Sequence, residues 1–201
     1  MTRLDRDQAV ASLRRGDVVA LPSDTVYGVG ASLAHPAAVA RLFTLKGRPT
    51  TVALPVIVAG AADVAALGVN WTDRAVRLAD AFWPGALTIV VDAPRDLARV
   101  VGSQGGVGLR LPDDDVLVDV VRRVGPIALT SANRHGEPPC TSADAVLESF
   151  AESRDLAGVL DAGVRHAVVS SVVDVTEPTW RLVRAGAVSV DELVAVLGSL
   201  A

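Results

Sequence analysis

Lysine is almost missing from this chain. Of its 19 basic residues one, Lys46, is a lysine and the others are arginines. Cysteine is equally scarce: Cys140 stands alone, which excludes an internal disulfide and a cysteine zinc site. With three Phe, three Trp and one Tyr, the core has to be built from Ala, Val and Leu. No apolar run reaches about 18 residues and no apolar stretch follows a basic N-terminal flank, so neither a membrane span nor a signal peptide is expected. The cytoplasm is the expected compartment. Several chemical signatures are absent too. There is no Gly-x-x-x-x-Gly-Lys-Ser/Thr phosphate loop, and Gly28-x-Gly30 lacks the third glycine of a dinucleotide fingerprint because Leu33 stands there. Ser131 sits in no Gly-x-Ser-x-Gly elbow and has only His135, four residues on, as a neighbouring base. His35, His135 and His166 share no ligand spacing, so no metal site from side chains is expected and a metal would arrive with a phosphate substrate.

What is present describes a globular protein. The 201 residues are half hydrophobic, enough for a substantial core. No low-complexity linker, repeat or charge block divides them, so one domain over 1–201 is expected. The net charge of −4 leaves any polyanion binding to a local cluster. Patterning predicts helices at 7–15, 36–46, 61–67, 72–82, 113–124 and 142–150, and a last helix opened by the capping box of Ser189 and Glu192. Strands are expected at 18–21, 26–31, 55–59, 86–91, 107–111, 127–129, 157–160, 168–175 and 180–184, with a glycine-rich loop at 102–106. Interleaved helices and strands make the class α/β, and strands lying close together in sequence point to a mixed, open sheet.

Polar residues gather at the strand ends. Ser23, Asp24 and Thr25 follow the first expected strand, and Thr130, Ser131 and Asn133 follow the strand at 127–129. Open α/β sheets bind ligands outside strand carboxyl ends, which makes both loops natural ligand contacts. Lys46 and Arg48 close a helix and Arg184 precedes Ala185-Gly186. A compact ammonium beside a planar guanidinium suits phosphate oxygens, while the alternative is that coding bias expelled the other lysines and spared this one. Arg110 alternates with Val107, Leu109 and Leu111, so it points away from the apolar set, toward a ligand or toward solvent. Hydroxyls, an amide and cations together suit a nucleotide or an acyl phosphate, and spacing alone goes no further.

Five segments carry a resemblance. Leu21-Pro-Ser-Asp-Thr-Val-Tyr-Gly-Val-Gly30, Leu45-Lys-Gly-Arg-Pro49, Phe82-Trp-Pro-Gly-Ala-Leu-Thr88, Gly108-Leu-Arg-Leu-Pro112 and Thr130-Ser-Ala-Asn133 occur in order. Ser170-Ser-Val-Val-Asp174 and Leu182-Val-Arg-Ala-Gly-Ala187 extend the match. The chain resembles the YrdC-like family of L-threonylcarbamoyladenylate synthases over roughly residues 10–190.

The resemblance implies an open twisted mixed sheet flanked by helices and a nucleotidyltransferase activity. L-threonine, bicarbonate or carbon dioxide, and ATP with Mg²⁺ would give threonylcarbamoyl-AMP and pyrophosphate. The product would pass to a tRNA threonylcarbamoyl-transferase complex for N6-threonylcarbamoyladenosine modification of tRNA. The family's catalytic signature maps to Lys46, Arg48, Ser131 and Asn133. Threonine contacts map to Thr25, Arg110 and Ser170, and nucleotide contacts to Arg48, Thr130, Ser131 and Arg184. The sequence also departs from the pattern. Val52-Ala53-Leu54 and Ile57 stand where many members carry Asn-Pro-Leu and a histidine, Val169 and Ser171 replace a glutamate and a threonine, and Ala185 replaces a proline. Two alternatives accompany the synthase reading: an accessory protein that binds RNA, including double-stranded RNA, without catalysis, and a paralogue with another carbamoyl acceptor.

Overall fold

A computed structural model describes residues 2–47, 52–134, 136–165 and 168–198. The elements run β1 (Thr2–Leu4), α1 (Arg6–Arg15), β2 (Val18–Leu21), β3 (Gly28–Ser32), α2 (Pro36–Lys46), β4 (Val56–Ile57), α3 (Ala61–Ala66), α4 (Asp73–Phe82) and β5 (Leu87–Asp92). They continue with α5 (Arg95–Val100), β6 (Gly106–Arg110), α6 (Asp115–Val124), β7 (Ile127–Ser131), α7 (Ala143–Ser149), β8 (Leu156–Leu160), β9 (Ser171–Asp174), β10 (Arg181–Arg184) and α8 (Val190–Leu197). Among the described residues the strands form one sheet, in the order β1-β8-β2-β3-β7-β4-β6-β5-β9-β10. Parallel pairs (β1 with β8, β2 with β8, β4 with β6, β5 with β9) mix with antiparallel ones, as expected for this α/β class.

Local chemistry sets the helix ends. Asp5 and Gln8 exchange hydrogen bonds as a capping box for α1, and Gly16 ends it in the left-handed region that only glycine enters cheaply. Pro36 suits the first turn of α2, and Gly47 closes that helix with φ 60°. Ser189 and Glu192 form the capping box expected for the last helix.

Two elements escape the sequence patterns. β1 is three residues long, too short for a period to show, and exists because it pairs with β8. α5 packs Ala98 into the core with Leu97 and Val100 partly buried beside it, but six residues are too few for a helical period to show. A third difference concerns β7, which continues to Ser131 instead of stopping at residue 129. Ser131 is therefore fixed in the ladder opposite Gly28.

The two sheet faces are covered unequally. Val29, Ala31, Val56, Ile89, Leu109, Ala128 and Val173 project into the larger core, which also holds side chains of α2, α4, α7 and α8. On the other face, among the described residues, α1 and α6 cover one half, packing on Val19, Leu21, Ile57, Ile127, Leu129 and Leu160. The remaining half presents Thr88, Val90, Gly106, Gly108, Arg110 and Val172 to an open trough. That uncovered half-face is where the candidate site lies. Among the described residues no helix is long and apolar enough to cross a membrane.

Candidate active site

The trough is a cavity of about 550 Å³, within the ~300–1,000 Å³ range of small-molecule sites. Gly28, Gly106 and Gly108 leave stretches of its floor as bare backbone between the side chains of Thr88, Val90 and Val172. A Cβ on Gly108 would stand 2.8 Å from Cγ2 of Thr88, and one on Gly106 would stand 2.8 Å from Cγ1 of Val90. Glycine at these places keeps the cavity deep. Two polar turns edge it and are tied together through Tyr27, whose carbonyl accepts from Ala132 N–H at 2.7 Å while its own N–H donates to the Cys140 carbonyl.

One end of the cavity carries the guanidiniums. Arg110 is only 7% exposed, which overturns the solvent-facing reading of its alternation. Its Nη2 donates to Oδ1 of Asp24 at 2.6 Å, Nε to the Gly85 carbonyl at 3.0 Å and Nη1 to Oγ1 of Thr25 at 3.3 Å. Arg184 reaches the same region. Its Nε and Nη2 donate to the Ser170 carbonyl, and Nη2 also donates to Ser170 Oγ at 2.9 Å. The Ser170 hydroxyl shares a hydrogen bond with Thr88 at 3.1 Å.

Ladder geometry helps to aim Arg184. The register between β9 and β10 shifts between Leu182 and Arg184, a bulge that turns both Val183 and Arg184 to the cavity. Beyond the bulge, Gly186 lies so close to the backbone of Val169, Ser170 and Ser171 that a Cβ there would sit 2.4–2.5 Å from their atoms. The two cations feel each other. Burial pushes the Arg110 guanidinium below its usual range, with Asp24 opposing the shift. Burial also lowers Arg184, and the charge of Arg110 lowers it further. Asp24 pairs with Arg110, and the second desolvated guanidinium leaves surplus positive charge, which an anionic ligand group would neutralise.

The other end is organised by Lys46. From the last turn of α2, its Nζ donates to the Ser131 carbonyl, to Ser131 Oγ at 3.3 Å and to Asn133 Oδ1 at 3.0 Å. The Asn133 amide nitrogen donates to the carbonyls of Arg134 and Glu137, which fixes the orientation of its oxygen toward the ammonium. Lys46 is 4% exposed and stands behind Ser131, while Ser131 and Thr130 themselves line the cavity.

A family model described as Sua5_yciO_yrdC, telomere recombination, matches residues 11–186. The chain belongs to the Sua5/YciO/YrdC family. A Mycobacterium leprae relative, whose name gives threonylcarbamoyl-AMP synthase as a provisional assignment, is 41% identical over 193 residues, covering 94% of this chain and 86% of that one. The threonylcarbamoyl-AMP synthase of Pyrococcus abyssi is 36% identical over 197 residues, which are 96% of this chain but 57% of that protein. The crystal structure of P. abyssi Sua5 complexed with L-threonine superposes with a TM-score of 0.89 at 33% identity, over 98% of this chain and 59% of that one.

In this Sua5/YciO/YrdC member the structure gathers Thr25, Arg110, Thr130, Ser131, Ser170 and Arg184 around one cavity, with Lys46 and Asn133 in the layer behind. Arg48 lies outside the described residues. Val52 and Ile57, two of the departures from the family pattern, both line the cavity and make that wall apolar. Sequence reasoning saw Asp24 and Ser23 only as members of a polar turn and did not single out Thr88. The Asp24 contact with Arg110 spans 86 positions, and no local pattern encodes such a pairing.

Proposed function

We propose that this chain is a threonylcarbamoyl-AMP synthase, an ATP-dependent nucleotidyltransferase acting in tRNA modification in the cytoplasm. One observation carries the reading. A single cavity has a buried carboxylate receptor at one end, Arg110 with Thr25, and at the other a strand-end hydroxyl, Ser131, backed by a buried ammonium. Such a cavity fits an amino acid and a nucleotide held in line.

The chemistry follows from that arrangement. The L-threonine amine combines with bicarbonate or carbon dioxide to form a carbamate. A carbamate oxygen then bonds to the α-phosphorus as the bond from that phosphorus to pyrophosphate breaks. Little covalent work falls to the protein in such a transfer, so positioning and charge stabilisation carry it. Arg110 grips the α-carboxylate with N–H bonds not spent on Asp24, Thr25 and Gly85. Thr25 and Ser170 orient the remainder of the amino acid. Thr130, Ser131 and Arg184 face the nucleotide, with Arg48 assigned to the same side from the sequence. Lys46 holds Ser131 in place and adds positive potential from one layer behind. Mg²⁺ carried by the phosphates would neutralise charge on the leaving pyrophosphate. Among the described residues no three His, Cys, Asp or Glu side chains stand close enough to hold a metal. The product, a reactive mixed anhydride, is consumed by a tRNA threonylcarbamoyl-transferase.

The test is direct. AMP and pyrophosphate are expected from ATP only when L-threonine and bicarbonate are both present. Turnover that is absent, or indifferent to threonine, defeats the reading, and salt-sensitive tRNA binding without turnover would put the RNA-binding accessory in its place. A second expectation concerns the floor. Gly108→Val places a branched side chain against Thr88 inside the trough. It should raise KM for L-threonine or ATP by about tenfold or more, equivalent to ~1.4 kcal/mol of binding, with a smaller change in Tm. Steady-state kinetics beside a thermal melt separate the two effects.

A further inference from the structure

A hydroxyl has one proton and two lone pairs, so its partners can fix the direction of every hydrogen bond it makes. Ser23 Oγ lies 2.7 Å from the Val26 carbonyl oxygen. A carbonyl only accepts, so the single Ser23 proton is spent there. Backbone N–H groups of Thr25 and Val26, both at the long distance of 3.3 Å, share one lone pair of Ser23 Oγ and leave the other for an O–H donor. Ser23 Oγ and Thr25 Oγ1 are 2.9 Å apart. With the serine proton already committed, that bond runs from Thr25 to Ser23. Thr25 Oγ1 then accepts from Nη1 of Arg110 at 3.3 Å. Its proton and one lone pair are both used, and one lone pair is left for the cavity. Ser23 and Thr25 are 3% and 5% exposed, so bulk water does not compete for these bonds.

We propose that Ser23 is a specificity-determining positioning residue: by taking the Thr25 proton it makes Thr25 Oγ1 an obligate acceptor for the β-hydroxyl of the amino-acid substrate. The inference rests on the synthase reading above. Threonine has two donors near its carboxylate, the amine and the β-hydroxyl. The amine carries the carbamate and must face the phosphates at the Ser131 end. At the Arg110 end, the hydroxyl is left opposite Thr25. A lone pair at Thr25 Oγ1 accepts an O–H and repels an ether oxygen, which brings a second lone pair instead of a proton. Discrimination of this kind is strong because the mismatched partner leaves a buried polar atom unpaired.

The experiment compares L-threonine with O-methyl-L-threonine. The wild-type protein is expected to favour L-threonine in kcat/KM. Ser23→Ala releases the Thr25 proton to donate to the ether, so that preference should shrink by about tenfold or more, while KM for ATP stays as it was. Ser23→Thr keeps an acceptor oxygen in place and should retain the wild-type preference. A purely structural serine predicts something else: Ser23→Ala loses activity on both amino acids in proportion, the ratio is unchanged, and the proposal falls. Should Ser23→Ala not fold, Thr25→Val is used instead. It removes the acceptor, and must reduce the preference for L-threonine over L-2-aminobutyrate; undiminished preference overturns the proposal. Failure of wild-type turnover would defeat the synthase reading and not this one. Calorimetric binding of the same two amino acids to wild type and Ser23→Ala then decides, and an unchanged ratio or no binding overturns the proposal.

Discussion

Arg110→Leu should lose both threonine-dependent turnover and a large part of the protein's stability. The ion pair it breaks is buried on both sides, with Arg110 and Asp24 side chains 8% and 13% exposed. Removing the guanidinium leaves the Asp24 carboxylate desolvated with no counter-ion, a situation that costs about 3–5 kcal/mol. Gly85 O and Thr25 Oγ1 lose a donor as well. Activity falls for a separate reason. On the proposed reading the substrate carboxylate loses a charge-assisted partner worth ~1.5–3 kcal/mol, or roughly 10–150-fold in kcat/KM for threonine. The double variant Arg110→Leu with Asp24→Leu separates the two losses. Denaturant melts should show most of the stability restored, because an apolar pair no longer strands a charge, while turnover stays lost. Recovery of turnover in the double variant would show that Arg110 serves the fold and not the substrate.

Lys46→Arg should abolish most turnover although charge is conserved. Among the described residues, two acceptors on Ser131 and one on Asn133 converge on the Lys46 nitrogen. A planar guanidinium on a longer stem cannot place one N–H at each of them. Lys46→Met removes the donor altogether and leaves the Ser131 carbonyl and Asn133 Oδ1 short of a partner, at about 1–3 kcal/mol for each group left unpaired. In both variants Ser131 drifts from its place at the cavity edge, and a displacement of about 1 Å can cost ~10²-fold in rate. The loss should appear in kcat for pyrophosphate formation more than in KM for threonine, whose receptor lies at the other end. Normal turnover by Lys46→Arg would return Lys46 to the accident of composition that its rarity also allows.

Much of the architecture was legible along the chain. The bounds of β2 and α2 follow from Pro22, Pro36 and Gly47, residues whose backbone chemistry punctuates a chain without help from distant contacts. Two things were not legible, for physical reasons. Elements of three to six residues such as β1 and α5 have no period to read and owe their existence to partners far away in sequence. The second is convergence. Lys46 meets Ser131 across 85 positions and Arg110 meets Asp24 across 86, through a strand order in which sequential strands are often not neighbours. The resemblance named both members of the first meeting and only Arg110 from the second. Ser23, Asp24 and Thr88 acquire roles only from what the fold places beside them.

The outermost strands have a consequence for how the protein is made. Ser170 stands just ahead of β9, which pairs with β5 from the other half of the chain, and Arg184 ends β10, which pairs with β9. Gly186 wedges against the backbone of Val169, Ser170 and Ser171 and holds that wall to the trough. A chain emerging N-terminus first can assemble the Arg110–Asp24 pair and the Lys46–Ser131 contacts while this wall is still unmade. A chain stopped before residue 184 would therefore hold the Arg110–Asp24 pair at the end of a trough that still lacks Arg184 and the wall that carries it.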